Sequence, residues 1–505
     1  MQLFSKKGLV ATMALALLAS PLAVLAEVVT AGNNVDEMQT WSKEELGPTI
    51  IKQNVRITNL LRTLDLTTPI TREITSAAVL NIGETDVDEY FFPVDTFYSS
   101  SLASIEAENR KTKEALEVVK DVVDEENEIH YYKVKLSSPL KAGEKMQITV
   151  RVALVGLIRP FPAEISQNEK QQMVYFGNPY ALTAYPANKQ KTTVLTPTTK
   201  LEVLDHPEEK KPEIKGNQIV LGPYENVNLL EHGVFEVQYQ FPDPVIWLNK
   251  LRRDIEISHW GNNLAVEEHY NFVNRGAQLK GHFSRIDYQK AGMQHPGTPL
   301  LTHFRVDVPK QATDLYFRDE IGNVSTSVVD RSQQDKLVLA LRPRFPLFGG
   351  WKTTFYIGYN AALKHFVRKV SGTDKHILKV PAIQPMKDAI YSDVEVRIVF
   401  PEGSKILNVH VPFAVDTIEQ STTKTYMDSA GRSTVTIRGR NWIDYHAKDI
   451  LVEYEIGMSS YLIKPLAAAS MLLIVFGTSI VMSRLNFKIG GDGNNKKIQD
   501  ADKKK

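Results

Sequence analysis

The sequence predicts a mainly β protein: two tandem antiparallel β-sandwich-like domains plus one C-terminal transmembrane helix. Three observations carry this. Apolar and polar residues alternate at period 2 through most of residues 27–461, the pattern of half-buried strands. Gly and Pro, 28 and 25 of 505 residues, punctuate those runs as turns do. One stretch, residues 465–482, is apolar and carries no charge. A body of roughly 430 residues is too large for one sandwich, so two are expected.

The elements follow in order. Residues 1–26 read as a signal peptide. Lys6 and Lys7 precede a short apolar run, Pro21 breaks it, and cleavage is expected between Ala26 and Glu27. The first domain is assigned to residues 27–245. Within it, residues 131–136 and 146–152 alternate on either side of Pro139 and Gly143 and read as a hairpin. Residues 102–126 start like a strand, but Leu116, Val119 and Val123 have helical spacing, so a strand followed by a polar loop or short helix is expected. Residues 201–216, with Pro207 and Pro212 around charged residues, read as an exposed polar loop.

Pro242-Asp243-Pro244 marks the expected boundary. The second domain is assigned to residues 246–460. Residues 336–341 and 353–359 read as a second hairpin, and its likeness to the first suggests duplication. Residues 393–400 form a strand ending at Pro401-Glu402-Gly403, and residues 434–438 and 450–454 are further strands.

The membrane helix is assigned to residues 461–483. Its uncharged core spans roughly 27 Å at about 1.5 Å per residue, enough for one pass. Ala467, Ser470, Ile474, Gly477 and Val481 share a face whose small residues would let another helix approach. Residues 483–505 carry seven Lys or Arg against three Asp, so the short basic tail (484–505) is expected in the cytosol and the body outside it, a type I arrangement. Lys503 and Lys504 near the end read as part of an orientation-setting basic stub, with a retention signal as the alternative, because Asp502 spoils the dilysine spacing.

Composition excludes several functions. Lys and Arg number 60 against 59 Asp and Glu, which argues against a nucleic-acid partner. With no Cys, thiolate catalysis and Cys-based metal sites are out. No phosphate-binding, dinucleotide, zincin or nucleophile-elbow motif occurs. His259 and His269 read as surface or packing residues, and Arg318-Asp319-Glu320 reads as a strand end or structural ion pair with a partner contact as the alternative. No catalytic, cofactor-binding or metal-ligating residue is assigned. Asn323-Val324-Ser325 is the one N-x-[ST] sequon, so Asn323 is the expected glycosylation site.

Residues 315–327, with Arg318-Asp319-Glu320-Ile321-Gly322-Asn323 at their centre, closely resemble the ribophorin I family. So do Ile257-Ser258-His259-Trp260-Gly261-Asn262, Gly281-His282-Phe283-Ser284-Arg285, Arg342-Pro343-Arg344-Phe345-Pro346, Ser166-Gln167-Asn168-Glu169, Tyr185-Pro186, Gly431-Arg432 and Lys448-Asp449-Ile450. The resemblance covers the body and the span. The tail, 23 residues after the uncharged core of the span, is similar to the short-tailed form found in fungi. The family is the large single-pass subunit of the endoplasmic-reticulum oligosaccharyltransferase, which moves a preassembled glycan from dolichyl diphosphate to Asn of N-x-[ST] sequons. The resemblance implies a non-catalytic, architectural role with no cofactor. It implies as partners a polytopic catalytic subunit, small membrane subunits, nascent polypeptides, the lipid bilayer and the translocon. It also implies lumenal domains similar to the β-rich domain of zinc aminopeptidases. The other classes left open are a tethered lumenal chaperone or cargo receptor, and a lumenal glycosidase or peptidase.

Overall fold

In a computed structural model, the described residues are 51, 54–124, 128–208, 210–294, 299–425, 428 and 430–485. The signal peptide, its Ala26–Glu27 junction, and Lys503 and Lys504 lie outside them.

The strands up to Gln240 are β1 (Val55–Asp65), β2 (Ile70–Asn81), β3 (Val87–Asp95), β4 (Leu102–Asn109), β5 (Ala115–Leu116), β6 (Val118–Asp124), β7 (Ile129–Leu140), β8 (Lys145–Val155), β9 (Ile158–Pro160), β10 (Glu164–Ile165), β11 (Gln172–Gly177), β12 (Ala187–Leu195), β13 (Leu201–Asp205), β14 (Glu213–Lys215), β15 (Gln218–Val227) and β16 (Phe235–Gln240). A single helical turn, α1 (Thr96–Ser99), follows β3, with the Asp95 carboxylate accepting from the Phe97 amide.

The remaining strands are β17 (Ile246–Ser258), β18 (Asn263–Asn274), β19 (Gln278–Leu279), β20 (Phe304–Pro309), β21 (Thr313–Asp319), β22 (Gly322–Asn323), β23 (Val328–Asp330), β24 (Lys336–Leu341), β25 (Lys352–Ala362), β26 (Val367–Lys369), β27 (Lys375–Pro381), β28 (Ile390–Glu402), β29 (Lys405–His410), β30 (Thr417–Thr423), β31 (Arg432–Trp442) and β32 (Asp449–Glu455). Helix α2 (Arg285–Gln294) lies between β19 and β20, and α3 (Met458–Arg484) follows β32.

The sheets form two series in the same strand order. The first has an eight-stranded sheet β14-β15-β12-β1-β2-β8-β4-β5, a four-stranded sheet β13-β16-β11-β9 and a three-stranded sheet β3-β7-β6. The second repeats them as β30-β31-β28-β17-β18-β25-β21-β22, β29-β32-β27-β26 and β20-β24-β23. Pairing is mostly antiparallel, but each large sheet holds one parallel pair, β1 with β12 and β17 with β28. The first strand of each large sheet is bulged at matching places, Thr58 and Asn249.

Alternation built these strands, because side chains at period 2 share a face and one face is buried. One core gathers residues from Val55 to Val245 and the other from Leu248 to Ile456. Between the series, β10 pairs with β19 and the Gln171 side chain accepts from the Ala277 amide at 2.7 Å. Ile70, Val155, Trp247, Ile390 and Ile443 form a third apolar cluster there, flanked by an Arg72–Asp444 ion pair at 3.1 Å.

Three expectations change. The two expected hairpins are strands as read, but their members do not pair. β7 pairs with β3 and β6 while β8 pairs with β2 and β4, and β24 and β25 part in the same way. Both connections cross from one sheet to the next, which a turn signal cannot distinguish from a hairpin. Leu116, Val119 and Val123 lie on β5 and β6, so cross-strand pairing overrides their helical spacing. The segment 201–216 holds two edge strands, β13 and β14, around its loop. Prolines and charges suit such edges as well as they suit loops.

Candidate functional site

At the membrane end, α3 rises from the second series. Its 27 residues are long and apolar enough to cross a bilayer, and no part of its most apolar 18-residue stretch is buried in the protein. Ala467, Ser470, Ile474, Gly477 and Val481 are exposed on it. The Ser470 hydroxyl donates to the Ala467 carbonyl at 2.8 Å, and nothing lies within 4 Å of where a Gly477 side chain would start. Pro465 sits inside the helix.

The first turns of α3 are clamped to the body. Lys464 Nζ donates to Asp428 at 2.9 Å, and Arg432 bridges Asp428 and Glu256. Burial opposes ionisation of Asp428, but hydrogen bonds from Thr425, Lys464 and Arg432 outweigh it and hold its carboxyl well below the usual range. The Trp260 indole donates to the Tyr461 carbonyl at 2.9 Å, and Ser460 donates to the Gly403 carbonyl at 3.1 Å. His259 lies in this clamp among His376, Tyr454 and Tyr461, with Nε2 2.8 Å from the Tyr454 hydroxyl. Burial, then the neighbouring His376, push its pKa down to about 4. His269 lies elsewhere, 2.8 Å from Glu267 and stacked on Tyr356. No group of three metal-ligating side chains occurs among the described residues.

Asp319 organises the β21–β22 turn. Its carboxylate accepts from the amides of Ile321 and Gly322, each at 3.0 Å, and from Arg344. The Arg344 contact, first among these, lowers its pKa. Arg318 Nε donates to the Asn323 side-chain oxygen at 2.7 Å, and Asn323 itself is exposed. Arg318 and Asp319 of the charged triplet thus brace the turn.

A cleft of about 310 Å³ in the first series went unread in the sequence. Arg62 and Glu73 line it together with Phe92, Val152, Leu154 and Tyr175. Arg62 Nη2 donates to Glu73 at 2.8 Å, and Nη1 donates to the carbonyls of Asn178 and Tyr180 at 2.6 and 3.2 Å. Burial opposes the guanidinium charge, and Glu73 more than restores it. Phe97 and Phe176 are 68% and 58% exposed beside it.

The second series has a matching arginine. Arg62 and Arg253 each lie four residues past the bulged residue of their strands. Arg253 pairs with Glu268 directly across on β18, and both are fully buried. Here neither side chain reaches solvent. Glu73 faces Val152 across β2 and β8, whereas the matching pair in the second series is Val266 and Tyr359. The Tyr359 hydroxyl accepts from Gln384 at 2.6 Å, and Tyr359 holds the register position that Val152 holds in the first series. A sequence signal existed: in both strands an Arg interrupts an inward-facing apolar series, Leu60-Arg62-Leu64 and Leu251-Arg253-Ile255.

The ribophorin I family profile matches residues 55–483. The dolichyl-diphosphooligosaccharide–protein glycosyltransferase subunit 1 of Caenorhabditis elegans is 32% identical over 450 residues, covering 88% of this chain and 75% of its own length. Subunit 1A of Arabidopsis thaliana is 34% identical over 436 residues, covering 85% and 70%. Among solved structures, leukotriene A4 hydrolase from Saccharomyces cerevisiae aligns with 38% of this chain and 30% of its own at 6% identity and a TM-score of 0.25.

Proposed function

The chain belongs to the ribophorin I family, and from that premise we propose that it is a non-catalytic subunit of the dolichyl-diphosphooligosaccharide–protein glycosyltransferase of the endoplasmic reticulum. The observation that carries this reading is the similarity to subunits of that name along most of the chain. The complex transfers a preassembled glycan from dolichyl diphosphate to Asn of N-x-[ST] sequons. This subunit shapes the lumenal surface beside a polytopic catalytic subunit.

The two sheet series are read as tandem lumenal domains meeting at Val245 and Ile246, and the basic tail faces the cytosol. Support for an anchored, rigid role comes from the clamp at the base of α3, which couples the span to the second domain through Lys464, Asp428 and Arg432. The face with Ser470 and Gly477 then meets a helix of a neighbouring subunit. Asn323, exposed on its braced turn, is the glycosylated residue.

Affinity purification of the tagged chain in mild detergent tests the assignment. A polytopic glycosyltransferase and small membrane subunits should co-purify, and depletion of the chain should leave secreted glycoproteins under-occupied with the lipid-linked donor intact. Recovery of secretory clients without a transferase would favour a cargo receptor instead.

A further inference from the structure

We propose that the turn between β17 and β18 is a lipid contact: the Trp260 ring lies in the headgroup layer of the lumenal leaflet and holds the second sheet series at the membrane surface. This rests on α3 crossing the membrane with the body on the lumenal side, as read above.

The first argument is a missing hydrogen bond. In a helix each N–H bonds to the carbonyl four residues back, and a proline has no N–H to give. Pro465 therefore leaves the Tyr461 carbonyl without its helical donor. The Trp260 indole N–H takes that role at 2.9 Å. Three residues after Tyr461, Lys464 is the last charged residue before the uncharged stretch, and it is bonded to Asp428. Both bonds tie the body to α3 at the level where the span begins.

The second argument is height. Tyr461 precedes Pro465 by four residues, a rise of about 6 Å. The polar layer between hydrocarbon and water is about 5–8 Å deep on each side of a bilayer. A group bonded to the Tyr461 carbonyl therefore falls within that layer when the uncharged stretch fills the hydrocarbon.

The third argument is composition. Trp260 is 66% exposed, whereas Trp247 and Trp442 are buried and Trp351 is half-buried. Tryptophan gathers at membrane interfaces, where its ring meets apolar groups while its N–H keeps a polar partner. Residues 258–263 carry no Asp, Glu, Lys or Arg. His259 is neutral at pH 7, because burial, then His376, push its pKa down to about 4. The turn can thus enter the layer without taking a charge out of water. Met458 and Leu462, one turn apart at the start of α3, are exposed and add apolar surface at the same end of the helix. The bilayer is the occupant because α3 enters it beside this turn.

The test places the full chain in phosphatidylcholine nanodiscs that carry a nitroxide either at the top of the acyl chain or near its end. The emission missing from Trp260→Phe is that of Trp260. The upper nitroxide should quench it at least twofold more than the lower one, with the melting temperature of the variant unchanged. A measurement that needs no variant repeats the question in the assembled complex. A phosphatidylcholine with a photoactivatable diazirine at the top of its acyl chain should label the peptide that contains Trp260, in the chain alone and in the complex. Absence of quenching, stronger quenching by the lower nitroxide, or no label on that peptide in the chain alone would overturn the proposal. Label in the chain alone but not in the complex would also overturn it, in favour of another subunit covering the turn. Retention of the chain in membranes at alkaline pH reads the span separately. Retention with an unquenched Trp260 sinks this proposal alone, and release of the chain sinks both readings.

Discussion

The first and second sheet series start from one strand order and put different residues around the same buried arginine. Around Arg253 the space is filled: Glu268 directly across, Tyr359 above, Tyr270 donating to Glu268 at 2.8 Å. Around Arg62 the acid sits one inward position further along, at Glu73, and Val152 stands where Tyr359 does. The second series also carries α3 and its clamp. The difference teaches that a repeated framework can divide its work. One copy becomes a sealed block joined to the membrane helix, and the other keeps an opening.

The largest expected effect breaks the sealed pair. Arg253→Leu leaves Glu268 charged and buried with the Tyr270 hydroxyl but no counter-charge, and should destabilise the chain by about 3–5 kcal/mol. Arg62→Leu should cost less, about 1–3 kcal/mol, because water entering the cleft can solvate Glu73. Melting of the two full-length variants in detergent compares them directly, and equal losses would erase the distinction between sealed and open copies.

Next comes Tyr359→Val, which imitates the first series. It should cost about 2–4 kcal/mol through the cavity it opens and the Gln384 amide it strands, again by melting. A neutral outcome would mean that the second core collapses freely around Arg253.

Acid should separate the copies by a smaller margin. Burial lowers the pKa of His259 and His446 to about 4 and lowers that of His376, all in the second series. Their unfolded value is about 6.5. The unfolded chain therefore binds more protons across this window, so stability present above pH 6.5 is lost as pH falls toward 4. Asp428 has a depressed carboxyl pKa, so its contribution persists until the pH falls below about 4. Hydrogen exchange at pH 7.5 and 5 should show β27 and β32 losing protection before β1 and β2. His259→Phe should reduce that loss.

Two changes test the second series as the anchored copy. Gly477→Leu together with Ser470→Leu should release the chain from its complex in detergent while its own melting holds. Asn323→Gln should remove one glycan, seen as a faster-migrating band, with a stability change within about 0.5 kcal/mol.

The strands were legible because alternation is local: residues 393–400, 434–438 and 450–454 all fall on β28, β31 and β32. The apolar helix was legible for the same reason. Pairing was not, since whether β7 turns back onto β8 or crosses to another sheet depends on partners far along the chain. The cleft was hidden more deeply. Arg62 stands out only as a charged residue at an inward position, and the opening beside it comes from the side chains of β2 and β8 compared with their counterparts in β18 and β25. The turn around Asn323 lay between, because Arg318 and Asp319 were visible as charges while their brace, Arg344, comes from a distant loop.

The central claim is that this chain supports glycan transfer without performing it. The most direct measurement is transfer by the purified complex when single Asp or Glu residues of this chain, Glu73 and Glu268 among them, are replaced by Asn or Gln. The assignment predicts that any loss of transfer tracks a loss of subunits or of thermal stability. A variant complex of unchanged composition and melting that transfers about 100-fold more slowly would contradict it.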